Sequence, residues 1–149
     1  MLTENQYCTF TLGPFMFGVG VREVQEVIRY QEMTRVPLAP RTVGGLINLR
    51  GQIVVAVDLR ERLGLPARDS TVLPMNVVVC SDDGAVSLLV DEIGDVIEVS
   101  PSEFEAAPDT LTGTARDLIT GVYKLEGKLL LVLDVNKTAT TELEIAKVA

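Results

Sequence analysis

A chain without a single histidine has few routes to proton transfer near neutral pH, and this one carries its reactive groups as carboxylates, two thiols and arginines. No Ser-His-Asp or Cys-His arrangement can be built, and a zinc site is disfavoured for the same reason. The acids are plentiful: Glu23, Glu26, Asp82, Asp83, Asp91, Glu92 and Asp95. The adjacent pairs Asp82-Asp83 and Asp91-Glu92 are the ones whose spacing would suit acid–base work or calcium. Asp82-Asp83 runs straight into Gly84, however, and the twelve-residue calcium loop spacing is missing. Both pairs therefore read as solvated turn or rim groups, with a small β-barrel enzyme using carboxylates or Cys8 as the competing reading. Cys8 and Cys80 have no Cys-x-x-Cys partner and read as two free, buried thiols. No phosphate-binding Gly-x-x-x-x-Gly-Lys-Ser/Thr loop is present, and Gly18-Val19-Gly20 lacks the third glycine of a dinucleotide fingerprint. Neither catalysis nor a cofactor is expected.

Composition points the same way. The chain has 149 residues, 47% hydrophobic and 23% charged, which suits one well-buried globular domain spanning 1–149. Aromatics are 5% and Trp is absent, so Val, Leu and Ile must build the core. A net charge of -8 argues against nucleic acid, whose phosphates need clustered Lys and Arg. No run approaches the roughly 20 apolar residues of a membrane-spanning helix. Met1-Leu2-Thr3-Glu4 has no basic segment leading an apolar one, so the expected location is the cytosol, with no direct membrane insertion.

The elements that must position these groups are mostly strands. Tyr7 to Leu12 alternates, with Cys8, Phe10 and Leu12 on one face and Thr9 and Thr11 on the other. Gly13-Pro14 turns it into a second strand from Phe15 to Val21, and Ser81-Asp82-Asp83-Gly84 marks a hairpin between Met75–Cys80 and Ala85–Val90. Asp58 to Leu63 reads as a short helix stopped by Gly64 and Pro66. Ala67 to Ser70 reads as an exposed linker, and a C-terminal helix is expected from about Val135 to Val148.

An internal repeat organises the whole. The segment Gly45 to Leu59 aligns without a gap on Gly121 to Val135, an offset of 76 positions that keeps both glycines, a leucine and the aspartate. Val21 to Ile28 aligns on Val90 to Ile97 at an offset of 69. Two strand-rich halves of this size suggest two small β-barrels sharing a core, which also removes exposed sheet edges. Residues kept in both copies serve the fold: Gly51 and Gly127 at hairpin turns needing positive φ, Asp58 and Asp134 as caps. Where the copies differ, Asn48-Leu49-Arg50-Gly51 faces Lys124-Leu125-Glu126-Gly127. Arg50 is either a solvated turn residue or a planar donor fork held ready for a carboxylate.

Val36-Pro37-Leu38-Ala39-Pro40, then Val43 to Gly51 with its Asn-Leu-Arg-Gly, then Val57-Asp58-Leu59-Arg60, together resemble the signature core of the CheW family. Phe17-Gly18-Val19, Val24 to Ile28, Val90-Asp91 and Leu118 to Val135 fit it too, so the likeness runs from about Tyr7 to Lys137. The resemblance implies a mainly β fold of two SH3-like five-stranded barrels. It implies a non-enzymatic adaptor joining the cytoplasmic tip of chemoreceptors to the regulatory domain of the histidine kinase CheA. It also implies recruitment to membrane-bound receptor arrays, and an ion pair between Arg50 and Glu26. Val24, Glu26, Gly45, Asn48 and Arg50 fall at positions linked to receptor coupling. A coupler for a related pathway, such as pilus motility, would look the same.

Overall fold

The computed structural model describes residues 5–82, 84–108 and 113–139. Eleven strands are threaded by short helices: β1 Gln6–Leu12, β2 Phe15–Gly20, β3 Val24–Ile28, β4 Val43–Leu49, β5 Gln52–Asp58, α1 Leu59–Leu63, β6 Met75–Ser81, β7 Gly84–Val90, β8 Glu92–Glu98, β9 Phe104–Glu105, α2 Gly113–Leu118, β10 Ile119–Leu125 and β11 Lys128–Leu133. Residues 135–139 are helical, where the expected C-terminal helix begins; the rest of that expectation lies outside the described residues, as does Asp83. Among the described residues no helix is long and apolar enough to cross a membrane.

The strands form two sheets ordered β3-β6-β7-β5-β4 and β8-β1-β2-β11-β10-β9. These are the two barrels, five strands in the first and five plus the short β9 in the second, with one correction to the expected halves. They are not the first and second halves of the chain, because β1 and β2 pair into the second sheet. Matching the sheets strand for strand sets β3 against β8, β6 against β1, β7 against β2, β5 against β11 and β4 against β10. The sequence repeat covered only the β3/β8, β4/β10 and β5/β11 pairs, so the other two were invisible to it. The short β9 also has a counterpart, a single bridge from Thr34 to Leu46.

Register confirms the match in detail. Val43 pairs with Val57, a bulge follows, and Gly45 pairs with Ala56; Ile119 pairs with Leu133, a bulge follows, and Gly121 pairs with Val132. A bulge adds twist and bends the strand, which is how a narrow barrel turns its corners. Each glycine admits a neighbouring chain. A Cβ on Gly45 would stand 2.9 Å from Thr34 O, and one on Gly121 would stand 2.7 Å from Glu105 O and overlap the Phe104 ring.

The core follows the same logic. One buried cluster draws from both sheets, with Phe10, Phe17 and Leu131 from the second beside Val55, Val79 and Leu88 from the first. Each barrel then has its own smaller cluster, at equivalent positions: Ile47, Val54 and Ala56 in the first; Tyr123, Leu130 and Val132 in the second. Ile53 and Leu129 also behave alike, but both are exposed rather than packed. Thr9 departs from the alternation reading, being buried with its hydroxyl donating to Asp95 O at 2.6 Å.

Two further expectations are corrected. The cysteines are free, but Cys8 is only half-buried and Cys80 is exposed, its thiol near Gln25 Oε1 at 3.6 Å on the outward side of β6. The 67–70 connection is exposed at Ala67, Asp69 and Ser70, whereas Arg68 is tucked in against a carboxylate.

Candidate functional site

The β4–β5 hairpin closes through two residues, Arg50 and Gly51, with Leu49 paired to Gln52. Their φ angles, 52° and 89°, are both positive, the pattern of a tight type I′ turn. Glycine adopts that conformation freely and arginine does not, so Arg50 is held there by its surroundings. Asn48 supplies part of the hold, its Oδ1 accepting from Gly51 N at 2.8 Å.

Glu26 supplies the rest. Along β3 the residues alternate, with Val24, Glu26 and Ile28 more covered than Gln25 and Val27. Glu26 thus sits on the covered row of an end strand, an inward-pointing charge of the kind that discourages strand addition. Arg50 answers it with a planar fork: Nη1 donates to Oε2 at 2.7 Å and Nη2 to Oε1 at 2.8 Å. The arginine side chain is 75% exposed and the glutamate 16%. Hydrogen bonding to Arg50 holds the Glu26 carboxyl below its usual range and raises the guanidinium in return. Because β3 and β4 are the two end strands of their sheet, this pair bridges the two ends of the first barrel.

Of the five expected residues, Glu26, Asn48 and Arg50 meet at this hairpin tip. Val24 does not join them: it is half-buried, pairs with Val79 and packs on the shared core. Gly45 is buried at the bulge beside Met33 and Thr34. Exposed apolar side chains lie on the flanking strands, Ile53 opposite Asn48 and Val27 on β3. Asp58 and Asp134 are caps: Asp58 accepts from the backbone of Arg60 and Glu61, and Asp134 from Lys137 N at 3.0 Å.

Reading the acids as solvated missed one group. Glu92 is exposed, but Asp91 is half-buried and accepts from Arg60, Arg68 and the Gly13 amide. Burial pushes its carboxyl up, yet Arg60, the Gly13 amide and Arg68 outweigh this and bring it down to about 2. Arg60 and Asp91 were both in the quoted motifs; nothing in their spacing says that they meet.

What the hairpin tip can do is bind. It presents an exposed guanidinium, a turn that fixes its aim, and neighbouring aliphatic surface. No group of three or more His, Cys, Asp or Glu able to hold a metal occurs among the described residues. Burial raises the Cys8 thiol, the wrong direction for a nucleophile.

The family model described as the CheW-like domain matches residues 6–142. The chain is 31% identical to the chemotaxis protein CheW of Treponema pallidum, covering 98% of this chain and 88% of that one. It is 32% identical to the chemotaxis protein CheW of Bacillus subtilis, covering 94% and 90%. Its structure superposes on the scaffolding protein TtCheW from Thermoanaerobacter tengcongensis with a TM-score of 0.81 at 25% identity, over 91% of this chain and 92% of that one. A family model matched over residues 6–142 and relatives more than 30% identical over nearly the whole length lead to one conclusion: this chain belongs to the CheW family.

Proposed function

We propose that the chain is a non-enzymatic adaptor that couples chemoreceptors to the histidine kinase CheA, working as one unit over residues 1–149. The observation that carries this reading is the Glu26–Arg50 fork, present in one of two otherwise matched hairpins. A residue kept only for folding would be duplicated with the fold; Arg50 is replaced by Glu126 in the second copy. The receptor's cytoplasmic helical hairpin docks on the first barrel around Glu26, Asn48 and Arg50, with Val27 and Ile53 offering apolar contact. Val24 and Gly45 act from beneath, by holding β3 and β4 in place.

The regulatory domain of CheA docks on a different surface. Phe15 and Leu129, 44% and 42% exposed, support the second barrel for this role. The parallel register of β2 and β11 sets Met16 beside Leu130, so Phe15 and Leu129, each one residue earlier, lie near the starts of neighbouring strands. Such an adaptor works by raising local concentration and by passing a conformational bias between two surfaces. It works in the cytoplasm and is recruited to receptor arrays.

Purified chain, a receptor cytoplasmic fragment and CheA test the reading together. Binding to each, and receptor-dependent stimulation of kinase autophosphorylation only when the chain is added, is the expected result. Failure to bind either partner, or turnover by the chain alone with rapid native labelling of Cys8, overturns it in favour of an enzyme.

A further inference from the structure

The chain crosses between barrels twice, and the second crossing is one residue long. β7 ends in the first sheet at Val90, β8 opens in the second at Glu92, and Asp91 is all that lies between. The Asp91 N–H donates to Thr11 O at 3.1 Å, in β1 of the second barrel. Its Oδ2 accepts from Gly13 N at 2.8 Å, in the β1–β2 turn of that barrel. On the other side stands α1, which continues β5 of the first barrel. Arg60 of α1 donates from Nε to Oδ1 at 3.0 Å and from Nη2 to Oδ2. Arg68, in the connection from α1 to β6, donates from Nε to Oδ1 at 3.0 Å.

A carboxylate offers about four acceptor positions, and here all are taken. No position is left for a ligand, so the cluster is a knot rather than a binding site. Arg60 extends it by donating from Nη1 to Pro66 O at 2.7 Å. The three side chains are 15%, 16% and 11% exposed, so water competes weakly for these bonds. Among the described residues, the buried Nη2 of Arg68 has no hydrogen-bond partner. Leaving it unpaired carries a local cost, which the Nε bond to Asp91 offsets.

We propose that Asp91 is a positioning residue that fixes the angle between the two barrels, so that receptor and kinase surfaces can be occupied at once. The shared core holds the barrels together but is apolar and non-directional; Asp91 adds a directional clamp at the crossing. The proposal rests on the coupling reading for its consequence, but not for the geometry it assigns.

Paired spin labels test it in the full chain. Cys80, exposed on the first barrel, and Lys128→Cys, exposed on the second, carry the labels in a Cys8→Ala background. Asp91→Asn is expected to broaden the interbarrel distance distribution, while Glu92→Gln, the exposed neighbour, leaves it as in wild type. Affinity for receptor fragment or CheA alone should stay within about twofold. Affinity for the second partner with the first already bound should fall about tenfold, the size of an ordinary coupling between sites. An unchanged distribution, or single-partner affinities falling as far as the joint one, overturns the proposal. Should Asp91→Asn fail to fold, Arg68→Gln, which removes one of the four bonds, is measured in the same way: broadening supports the clamp and an unchanged distance overturns it. If the unmodified chain binds neither partner, the coupling reading fails, and the label distances still decide whether Asp91 sets the angle.

Discussion

The two hairpins β4–β5 and β10–β11 share register, bulge and interior packing, and differ at their tips. The first turns through Arg50-Gly51 with both φ positive, braced by Asn48 beneath and Glu26 across the barrel. The second turns through Glu126-Gly127, where only the glycine is positive at 76°. Lys124 replaces Asn48 and pairs outward with Glu105 at 3.2 Å, both side chains about half exposed or more. One tip is a fixed donor aimed over a covered carboxylate; the other is an ordinary solvated turn. Since register, bulge and the buried positions match beneath the tips, the difference isolates what the fold does not need.

The largest effect should come from reversing each tip. Arg50→Glu places a second acid beside Glu26 and is expected to weaken receptor-fragment binding roughly 30-fold or more, by isothermal titration. Glu126→Arg should leave that binding within twofold. Equal losses would mean that the tips are not specialised. The exchange Arg50→Glu with Glu26→Arg should recover part of the binding; no recovery would show that the residues do not act as a pair.

Beneath the tips the barrels should respond alike. Gly45→Ala and Gly121→Ala each drive a methyl toward backbone, Thr34 O in one case and Glu105 O in the other. Each should cost about 1–3 kcal/mol in chemical denaturation, the usual range for overpacking. If Gly45→Ala left stability unchanged while abolishing receptor binding, Gly45 would belong to the surface rather than to the bulge.

Which of this could be read from the residues alone follows from what periodicity carries. The hairpins, the two caps and the first helix were legible because turn glycines, capping aspartates and alternation act locally. The repeat exposed three strand pairs of five. It hid β1 and β2, whose partners β6 and β7 share no more than an apolar pattern with them. Arg50 stood out by differing from Glu126, but the Glu26 partnership came from resemblance alone. The Asp91 cluster was illegible because it joins Gly13, Arg60, Arg68 and Asp91 across four elements, and side chains meeting in space leave no spacing in sequence.

The two crossings offer a smaller contrast, in opposite directions. At the first, burial is the main cause raising the Glu23 carboxyl, with Asp134 adding to it and the Gly20 amide opposing. At the second, Asp91 lies at about 2. Asp91 therefore stabilises the fold above the ordinary carboxylate range, and that contribution fades as pH falls from about 4 toward 2. After allowance for solvent screening it is on the order of 1 kcal/mol. Glu23 has the reverse sign: it costs the fold stability as pH rises from the ordinary glutamate range to its raised value, and that cost is complete above it. Denaturation midpoints across pH 2 to pH 7 should show Asp91→Asn flattening the acid limb. Glu23→Gln should be slightly more stable than wild type at neutral pH and no different in acid. A common response of the two variants would remove the contrast.

The smallest effect separates the turn from the charge. Arg50→Gly removes the fork but places at φ 52° the residue that adopts this conformation most readily. Relief of backbone strain and loss of the ion pair oppose each other, and an exposed pair is worth little. The melting temperature should therefore stay level or rise by about 1–3 °C. Glu126→Gly starts from a φ that is not positive, so it gains no such relief. It adds only chain entropy to the unfolded state and should lower the melting temperature by a similar margin. Receptor binding should fall with Arg50→Gly and hold with Glu126→Gly. A chain that melts no lower yet no longer binds would show that Arg50 is kept at a strained turn for its partner and not for the barrel. A clear loss of stability in Arg50→Gly would instead make the Glu26 bridge part of what closes the first barrel, and the two tips would differ in folding before they differ in function.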